Sequence, residues 1–358
     1  MNAGTGEPSP ALARPTVIPP MLVQPGVEQL DSPVTIPEDT VFPIPRFAKA
    51  VRDDQKRQMP QCIAHRGYKA RFPENTLLAF DEAIKAGAHA IETDLHLTKD
   101  DVVVLCHDQT LKRCFGKKER VLDCTWDQIK DLRTLATPHV PMPRLKDLLE
   151  HLTQPGMEKV WLLLDIKLDN KSDTIMRLIG STIAEVKATG KPWAERLVLG
   201  LWAAKYLSLA EKYLPGFPVM HIGYKLSYAR HFFDVPNVGF NMLCPMLLAP
   251  GGKSFMRDRR EESRQLLAWT VNDADRMEWC IRRKMDGVIT DDPSLFVAAR
   301  ERHDEYRKEP VVPVSLRSLL DIARIYIMVT AMFWLIRRRF RPDAHMPLIQ
   351  KVPSSRNA

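Results

Sequence analysis

The chain has 358 residues, 45% of them apolar and 27% charged, a balance that excludes a fibrous or wholly disordered protein. Lys and Arg number 52 against 44 Asp and Glu, a net charge of +8, which raises nucleic acid or an anionic membrane as partners. Residues 311–358 hold eight Lys or Arg and two Asp, leaving only +2 on the other 310 residues, so no nucleic-acid partner is expected.

Residues 1–60 hold 11 of the 28 prolines. Proline fixes φ and removes a backbone donor, so this stretch reads as a Pro-rich arm, largely disordered or extended. Val41, Phe42, Ile44 and Phe47 are its candidate contacts with a domain. A basic n-region followed by an apolar h-region is not visible, so no secretory signal is expected. From residue 61 short apolar runs alternate with helical patterns. Strands are expected at Cys62–Ala64, Ala90–Leu97, Val102–Cys106, Val160–Ile166, Leu197–Trp202, Val219–Ile222, Val238–Leu243, Leu266–Val271 and Gly287–Thr290. Helices are expected at Thr76–Ala86, Trp126–Leu132, Leu145–His151, Asp173–Lys187, Lys205–Tyr213, Lys253–Ser263, Asp275–Arg283 and Ser294–Glu301. Asn75 stands where the first helix wants an N-cap, and Gly87 where it wants a C′ residue. Ala90–Leu97 and Val102–Cys106 are joined by a short turn and read as a hairpin. The remaining alternation gives a (β/α)₈ TIM barrel over 61–303, because strand–helix alternation over about 250 residues suits that fold. A doubly wound sheet is the alternative, and no glycine-rich phosphate loop supports it. The six cysteines, 62, 106, 114, 124, 244 and 280, form no C-x-x-C pair, which suits a reducing compartment.

In such a barrel, chemistry gathers where strands end at the C-terminal face. Strand ends here carry His65-Arg66-Gly67, Glu92-Thr93-Asp94, His107-Asp108 and Asp165-Ile166-Lys167. Residues two apart on a strand share a face, so Glu92 pairs with Asp94 and Asp165 with Lys167. Three converging carboxylates ask for a compensating cation, and an all-oxygen set suits Mg²⁺ or Ca²⁺. Arg66 and Lys167 are then left to hold an anion such as phosphate, and two histidines supply an acid and a base. Taken singly, each motif has a bland reading as a solvated strand end, a turn or a snorkelling lysine.

These motifs, with Pro73-Glu74-Asn75-Thr76, Trp269-Thr270-Val271-Asn272 and Asp286-Gly287-Val288-Ile289-Thr290-Asp291, resemble the glycerophosphodiester phosphodiesterase family. The arrangement is most similar to its fungal phosphatidylglycerol phospholipase C branch. The resemblance implies a (β/α)₈ barrel, a divalent metal on Glu92, Asp94 and Asp165, and His65 and His107 as the acid/base pair. It also implies Arg66 and Lys167 on the phosphate and Trp269 in the substrate pocket. Asp165 stands where family members commonly carry Glu. The expected reaction is metal-dependent hydrolysis of phosphatidylglycerol to diacylglycerol and glycerol 3-phosphate, with a hydroxyl of the substrate's own glycerol as nucleophile. Glycerophosphodiesterase or lysophospholipase D action is the alternative, and a non-catalytic lipid-binding barrel is the alternative of another class.

Residues 311–358 form a basic hydrophobic tail. Ile325–Ile336 is a run of 12 uncharged residues followed by Arg337, Arg338, Arg339 and Arg341. A span needs about 20 apolar residues, so the expectation is a membrane-associating helix lying in one leaflet. Ile325, Tyr326, Phe333 and Trp334 would meet lipid, and Arg337, Arg338 and Arg339 the anionic headgroups. A single span and a helix packed on the barrel are the alternatives. The expected partners are a glycerophospholipid and a membrane surface, with no protein partner evident. The expected location is a membrane facing a reducing compartment, such as the cytosolic side of the endoplasmic reticulum, a lipid droplet or a mitochondrion.

Overall fold

Eight parallel strands close into a barrel in the computed structural model, which describes residues 33–303, 316–340 and 348–353. Before the barrel come β1 (Val34–Pro37) and a small antiparallel ladder of β2 (Val51–Arg52) and β3 (Gln58–Met59). The barrel strands are β4 (Gln61–His65), β5 (Ala90–Leu97), β7 (Trp161–Ile166), β8 (Leu197–Leu201), β9 (Val219–Gly223), β10 (Gly239–Leu243), β11 (Leu266–Trp269) and β12 (Gly287–Thr290). Each pairs with the next in parallel, and β12 closes on β4. The exception to the alternation is β6 (Val103–Leu105), antiparallel to the end of β5 as the hairpin reading expects. Strands such as β7, Trp-Leu-Leu-Leu-Asp-Ile, are buried along their whole length, because a barrel strand has side chains on one side and helices on the other.

The helices α1 (Leu77–Lys85), α4 (Leu145–His151), α5 (Ser172–Glu185), α6 (Tyr206–Tyr213), α9 (Gly252–Glu261), α10 (Ala274–Arg282) and α11 (Pro293–Arg302) lie close to their expected bounds. On α5, Ile175, Met176, Ile179 and Ile183 form the buried stripe, each side chain contributing about 1.5–3 kcal/mol by leaving water. Short helices α2 (Lys112–Phe115), α3 (Trp126–Ile129), α7 (Leu226–Ala229) and α8 (Cys244–Leu248) sit in loops. The cap of α1 is Thr76, whose hydroxyl accepts from the Ala79 amide at 3.2 Å; Asn75, expected there, is spent elsewhere. Gly87 ends the same helix at φ +91°.

Residues 33–60 lie on the barrel with a 3₁₀ turn at Arg46–Ala48, Phe42 and Ala48 buried and Val41 and Ile44 facing outward. Residues 1–32 lie outside the described residues. Strand β1 pairs in parallel with β13 (Ile349–Val352), so the arm and the tail are clasped together. Between barrel and clasp runs α12 (Leu316–Phe340). No helix among the described residues is long and apolar enough to cross a membrane.

Candidate active site

The site begins with a turn. Arg66 and Gly67 both take positive φ, +58° and +83°. A Cβ on Gly67 would lie 2.7 Å from the Ala79 backbone, so only glycine lets the chain pass α1 there. The turn is fixed by the Arg66 amide, which donates to the Glu92 carbonyl at 2.9 Å and to its Oε2 at 3.1 Å. Register does the rest. His65 stands beside Glu92 across β4 and β5, and Asp94 beside Asp165 across β5 and β7. Ligand oxygens of Glu92, Asp94 and Asp165 lie within 4.8 Å of one another, all three residues buried.

Both expected histidines reach this cluster, and each is held by a carboxylate. His65 Nδ1 donates to Asp291 Oδ1 at 2.5 Å, leaving Nε2 4.0 Å from Glu92 Oε2. His107 Nδ1 lies 2.8 Å from Asp108 Oδ1, and its buried Nε2 has no hydrogen-bond partner among the described residues. A His–Asp pair fixes the tautomer and leaves the far nitrogen for proton transfer. Burial, reinforced by the Arg66 charge, lowers His65 from its ordinary 6.5 to about 4. Burial with Arg66 and Lys167 lowers His107 to about 3. Both rings are therefore neutral near pH 7. Asp291 resists the upward push of burial because His65 and Lys69 face it, and its carboxyl stays below the usual range.

The two cations expected to be free for phosphate are not free here. Lys167 Nζ lies 2.6 Å from both Asp94 Oδ1 and Asp165 Oδ2. Arg66 Nε lies 3.1 Å from Asp94 Oδ2, and its Nη1 lies 2.9 Å from Glu74 Oε1. The reason is charge balance: buried carboxylates take the nearest cations. Burial opposes the charge on Lys167, but Asp165 and Asp94 outweigh it and hold the ammonium protonated. Among the described residues no lysine or arginine side chain pairs with Glu92, which accepts only the Arg66 amide. Burial, with Asp94 and Asp165 beside it, pushes its carboxyl well above the usual range.

That uncompensated carboxylate tests the fit of a divalent cation. Three oxygen donors converge in one buried place, two are shared with a lysine, and the third is destabilised by their charge. The residues fit a hard divalent cation, held by Glu92, Asp94 and Asp165. Asp165, one methylene shorter than Glu, is aimed by its neighbours: Trp202 Nε1 donates to its Oδ1 at 2.6 Å.

Several residues of the site were quoted or passed over in the sequence reading without a role in the chemistry. Asn75, taken for a cap, donates from Nδ2 to Asp94 Oδ2 at 2.8 Å and accepts from Thr93 Oγ1 at 2.8 Å. Asn272 donates to Asp291 Oδ2 at 2.9 Å. Arg113 joins the two halves of the mouth, with Nη2 2.7 Å from Glu74 Oε1 and Nε 2.7 Å from Asp108 Oδ2. Asp291 directly follows an expected strand, and Trp202 ends one. The strand-end rule that found Glu92 and Asp94 could have found both.

Trp269, expected in the pocket, is buried beside Trp202 with ring centroids 5.7 Å apart, and its Nε1 donates to the Asn241 carbonyl at 3.0 Å. From Trp202 the aromatic contacts continue to Tyr224 at 5.7 Å and from there to Phe333 of α12 at 5.6 Å. This corrects the reading of Phe333 as a lipid contact. It is buried against Tyr224 and Tyr228, with Lys225 Nζ 4.5 Å from its ring centroid. Ile325 and Tyr326 are half-buried against the core, and Val329 is fully buried. Trp334 is exposed, in company with Leu319, Leu320, Ile327 and Leu335. Thus α12 packs one apolar face on loops leaving β9 and β10 and turns another outward. The side chains of Arg337, Arg338 and Arg339, on its last turn, lie outside the described residues.

Residues 65–295 match the family model described as the glycerophosphoryl diester phosphodiesterase family. A curated relative, uncharacterized protein YqiK of Bacillus subtilis, is 30% identical over 240 residues, covering 66% of this chain and 96% of its own. A glycerophosphodiester phosphodiesterase of Bacillus altitudinis is 27% identical over 253 residues, 68% of this chain and 99% of its own. Among solved structures, a putative glycerophosphoryl diester phosphodiesterase from Silicibacter pomeroyi superposes with a TM-score of 0.61 at 19% identity, covering 71% of this chain and 95% of that one. An Oleispira antarctica phosphodiesterase in complex with the product sn-glycerol-3-phosphate gives a TM-score of 0.57 at 20% identity, covering 68% and 97%. At these identities the superpositions speak for the fold.

Proposed function

Because this chain belongs to the glycerophosphoryl diester phosphodiesterase family, and so to phosphodiester hydrolases, we propose that it cleaves phosphatidylglycerol to diacylglycerol and glycerol 3-phosphate. The observation that carries the chemistry is the pair of His–Asp couples beside one buried carboxylate cluster, each with Nε2 left for proton transfer. One histidine takes the proton from a hydroxyl of the headgroup glycerol. That oxygen attacks phosphorus, the bond to the diacylglycerol oxygen breaks, and the other histidine protonates the leaving alkoxide. The cyclic glycerophosphate then takes up water, with the histidines exchanging roles. Holding the hydroxyl beside the phosphorus contributes effective molarity on the order of 10⁵ M. Were a cation to take up the carboxylates, Arg66 and Lys167 would be released from them to supply positive charge beside the phosphoryl oxygens, and the arriving monoanion favours protonation of one imidazole. A divalent cation, Mg²⁺ or Ca²⁺, supplies charge neutralisation on the carboxylate cluster when bound.

A lipid substrate is supported by α12. Its inner face joins the aromatic row that begins at Trp202, the residue gripping Asp165. Its outer face exposes Leu319, Leu320, Ile327, Trp334 and Leu335, and the arginines of the tail follow. We place that outer face in one leaflet of an anionic membrane facing a reducing compartment, with the helix lying in the interface rather than spanning it. Incubation with phosphatidylglycerol vesicles, with and without chelator, tests the reading. Diacylglycerol with glycerol phosphate, formed only with metal, is the expected result. Phosphatidic acid with glycerol would move the reaction to phospholipase D type, and cleavage of deacylated glycerophosphodiesters alone would remove the lipid.

A further inference from the structure

His96 lies two residues beyond Asp94 on β5, on the same side of the strand, and is only 1% exposed. No step above uses it. Its Nδ1 lies 2.7 Å from the Cys106 carbonyl oxygen. A carbonyl only accepts, so Nδ1 donates. That carbonyl belongs to the peptide whose nitrogen is His107's own, so the bond fixes the peptide plane from which His107 departs. On its other side, His96 Nε2 lies 3.0 Å from Asp169 Oδ1, within ion-pair distance but without hydrogen-bond geometry. Asp169 stands in the loop two residues beyond Lys167. The next residue, Asn170, donates to the Leu95 carbonyl at 3.0 Å and the Lys167 carbonyl at 2.9 Å, and accepts from the Leu97 amide at 2.8 Å. The backbone end of β5 is thereby stitched to the loop of Lys167, while His96 reaches across to the loop of His107.

We propose that His96 is a positioning residue for His107, acting through its Nδ1 bond to the Cys106 carbonyl, and that it holds one of the two proton-transfer groups in register with the carboxylate cluster. The proposal rests on the proposed role of His107. His96 touches no reacting atom, and buried side chains whose partners are all fixed backbone and loop groups are what hold a catalytic ring within a fraction of an ångström.

The test compares full-length His96→Ala, His96→Asn and His96→Gln with the wild-type chain, on phosphatidylglycerol vesicles and on glycerophosphoglycerol with Mg²⁺ or Ca²⁺. The Asn amide reaches where Nδ1 stands, and the Gln amide where Nε2 stands. His96→Ala and His96→Gln should lose about tenfold or more in kcat with KM within about threefold, since misplacing a reacting group by about 1 Å costs up to 10²-fold. His96→Asn should retain most of the wild-type kcat. An alanine variant within twofold of wild type, or rescue by Gln and not Asn, overturns the proposal. A readout free of turnover is the His107 imidazole signal in a long-range ¹⁵N–¹H spectrum. It should move in His96→Ala and His96→Gln and hold its place in His96→Asn. An unmoved signal in His96→Ala refutes positioning even in a chain that hydrolyses nothing. An inactive wild type with the signal moving as expected refutes only the assigned reaction.

Discussion

Replacing Asp291 by Asn should cost more activity than removing its carboxylate altogether. Asp291 Oδ2 accepts from Asn272 Nδ2 at 2.9 Å and lies 3.5 Å from Lys69 Nζ, both pure donors. In Asp291→Asn the amide oxygen therefore takes that side, and the amide NH₂ faces His65 Nδ1. An NH₂ group cannot accept, so Nδ1 must, and the ring proton moves to Nε2. The nitrogen that faces Glu92 at 4.0 Å is then blocked as a base. The same tautomer error in a serine-protease triad costs about 10⁴-fold in kcat, and general acid–base catalysis contributes about 10²–10⁴-fold; the expected loss is about 10³-fold, or roughly 4 kcal/mol. Asp291→Ala frees His65 to take either tautomer and should lose less, about 10²-fold. The assay is kcat and KM on phosphatidylglycerol vesicles at saturating metal, with melting temperature as a folding control. An Asn variant within threefold of wild type, or one better than Ala, refutes proton transfer through His65 Nε2.

Three further outcomes follow from the same geometry. Trp202→Phe keeps the apolar contacts with Tyr224 and Trp269 but deletes the bond to Asp165, so metal half-saturation should rise about 10–100-fold; an unchanged metal titration would contradict Asp165 as a ligand. Glu92→Gln removes the carboxylate that burial and its acidic neighbours push upward, so it should raise the melting temperature without metal and abolish the rise that Mg²⁺ or Ca²⁺ gives the wild type. His221, buried and stacked on Phe232 at 4.1 Å, is lowered by burial from 6.5 to about 3. Above pH 6.5 it is neutral in both states and contributes no slope; below, the unfolded chain takes a proton that the folded chain refuses, so stability falls towards pH 3. At about 1.4 kcal/mol per pKa unit the full loss down to pH 3 is on the order of 5 kcal/mol, and His221→Asn should flatten the fall of the urea midpoint between pH 7 and pH 4.

The barrel was legible because its two periods are clean. Runs such as residues 161–164 are apolar throughout, and helices such as α1, α10 and α11 bury apolar residues behind Thr, Asp or Asp-Pro starts. The polar strand ends stood out against that background, so Glu92, Asp94 and Asp165 could be read together. What supports them could not. Asp291 meets His65 across 226 residues of sequence, and no local pattern reports such a pairing. Asn75 misled because capping and gripping a carboxylate use the same side chain. Arg66 and Lys167 read as spare cations until the distances showed which carboxylates they neutralise. The pairing of β1 with β13 joins the two ends of the chain, so the arm's fixed course was invisible locally. The tail hid its two faces for a different reason: with apolar residues all round Ile325–Ile336, nothing in the sequence says that Phe333 turns in while Trp334 turns out.

The central claim is that two Asp-held histidines beside a divalent-cation site hydrolyse a glycerophosphodiester bond. Its most direct test is phosphate-ester release from phosphatidylglycerol and glycerophosphoglycerol by the wild-type chain, His65→Ala and His107→Ala, each with Mg²⁺ or Ca²⁺ and with chelator. Turnover by the metal-loaded wild type alone, lost by about 10²-fold or more in either variant, is the predicted result. Wild-type rates in either histidine variant, or rates indifferent to chelator, would contradict it.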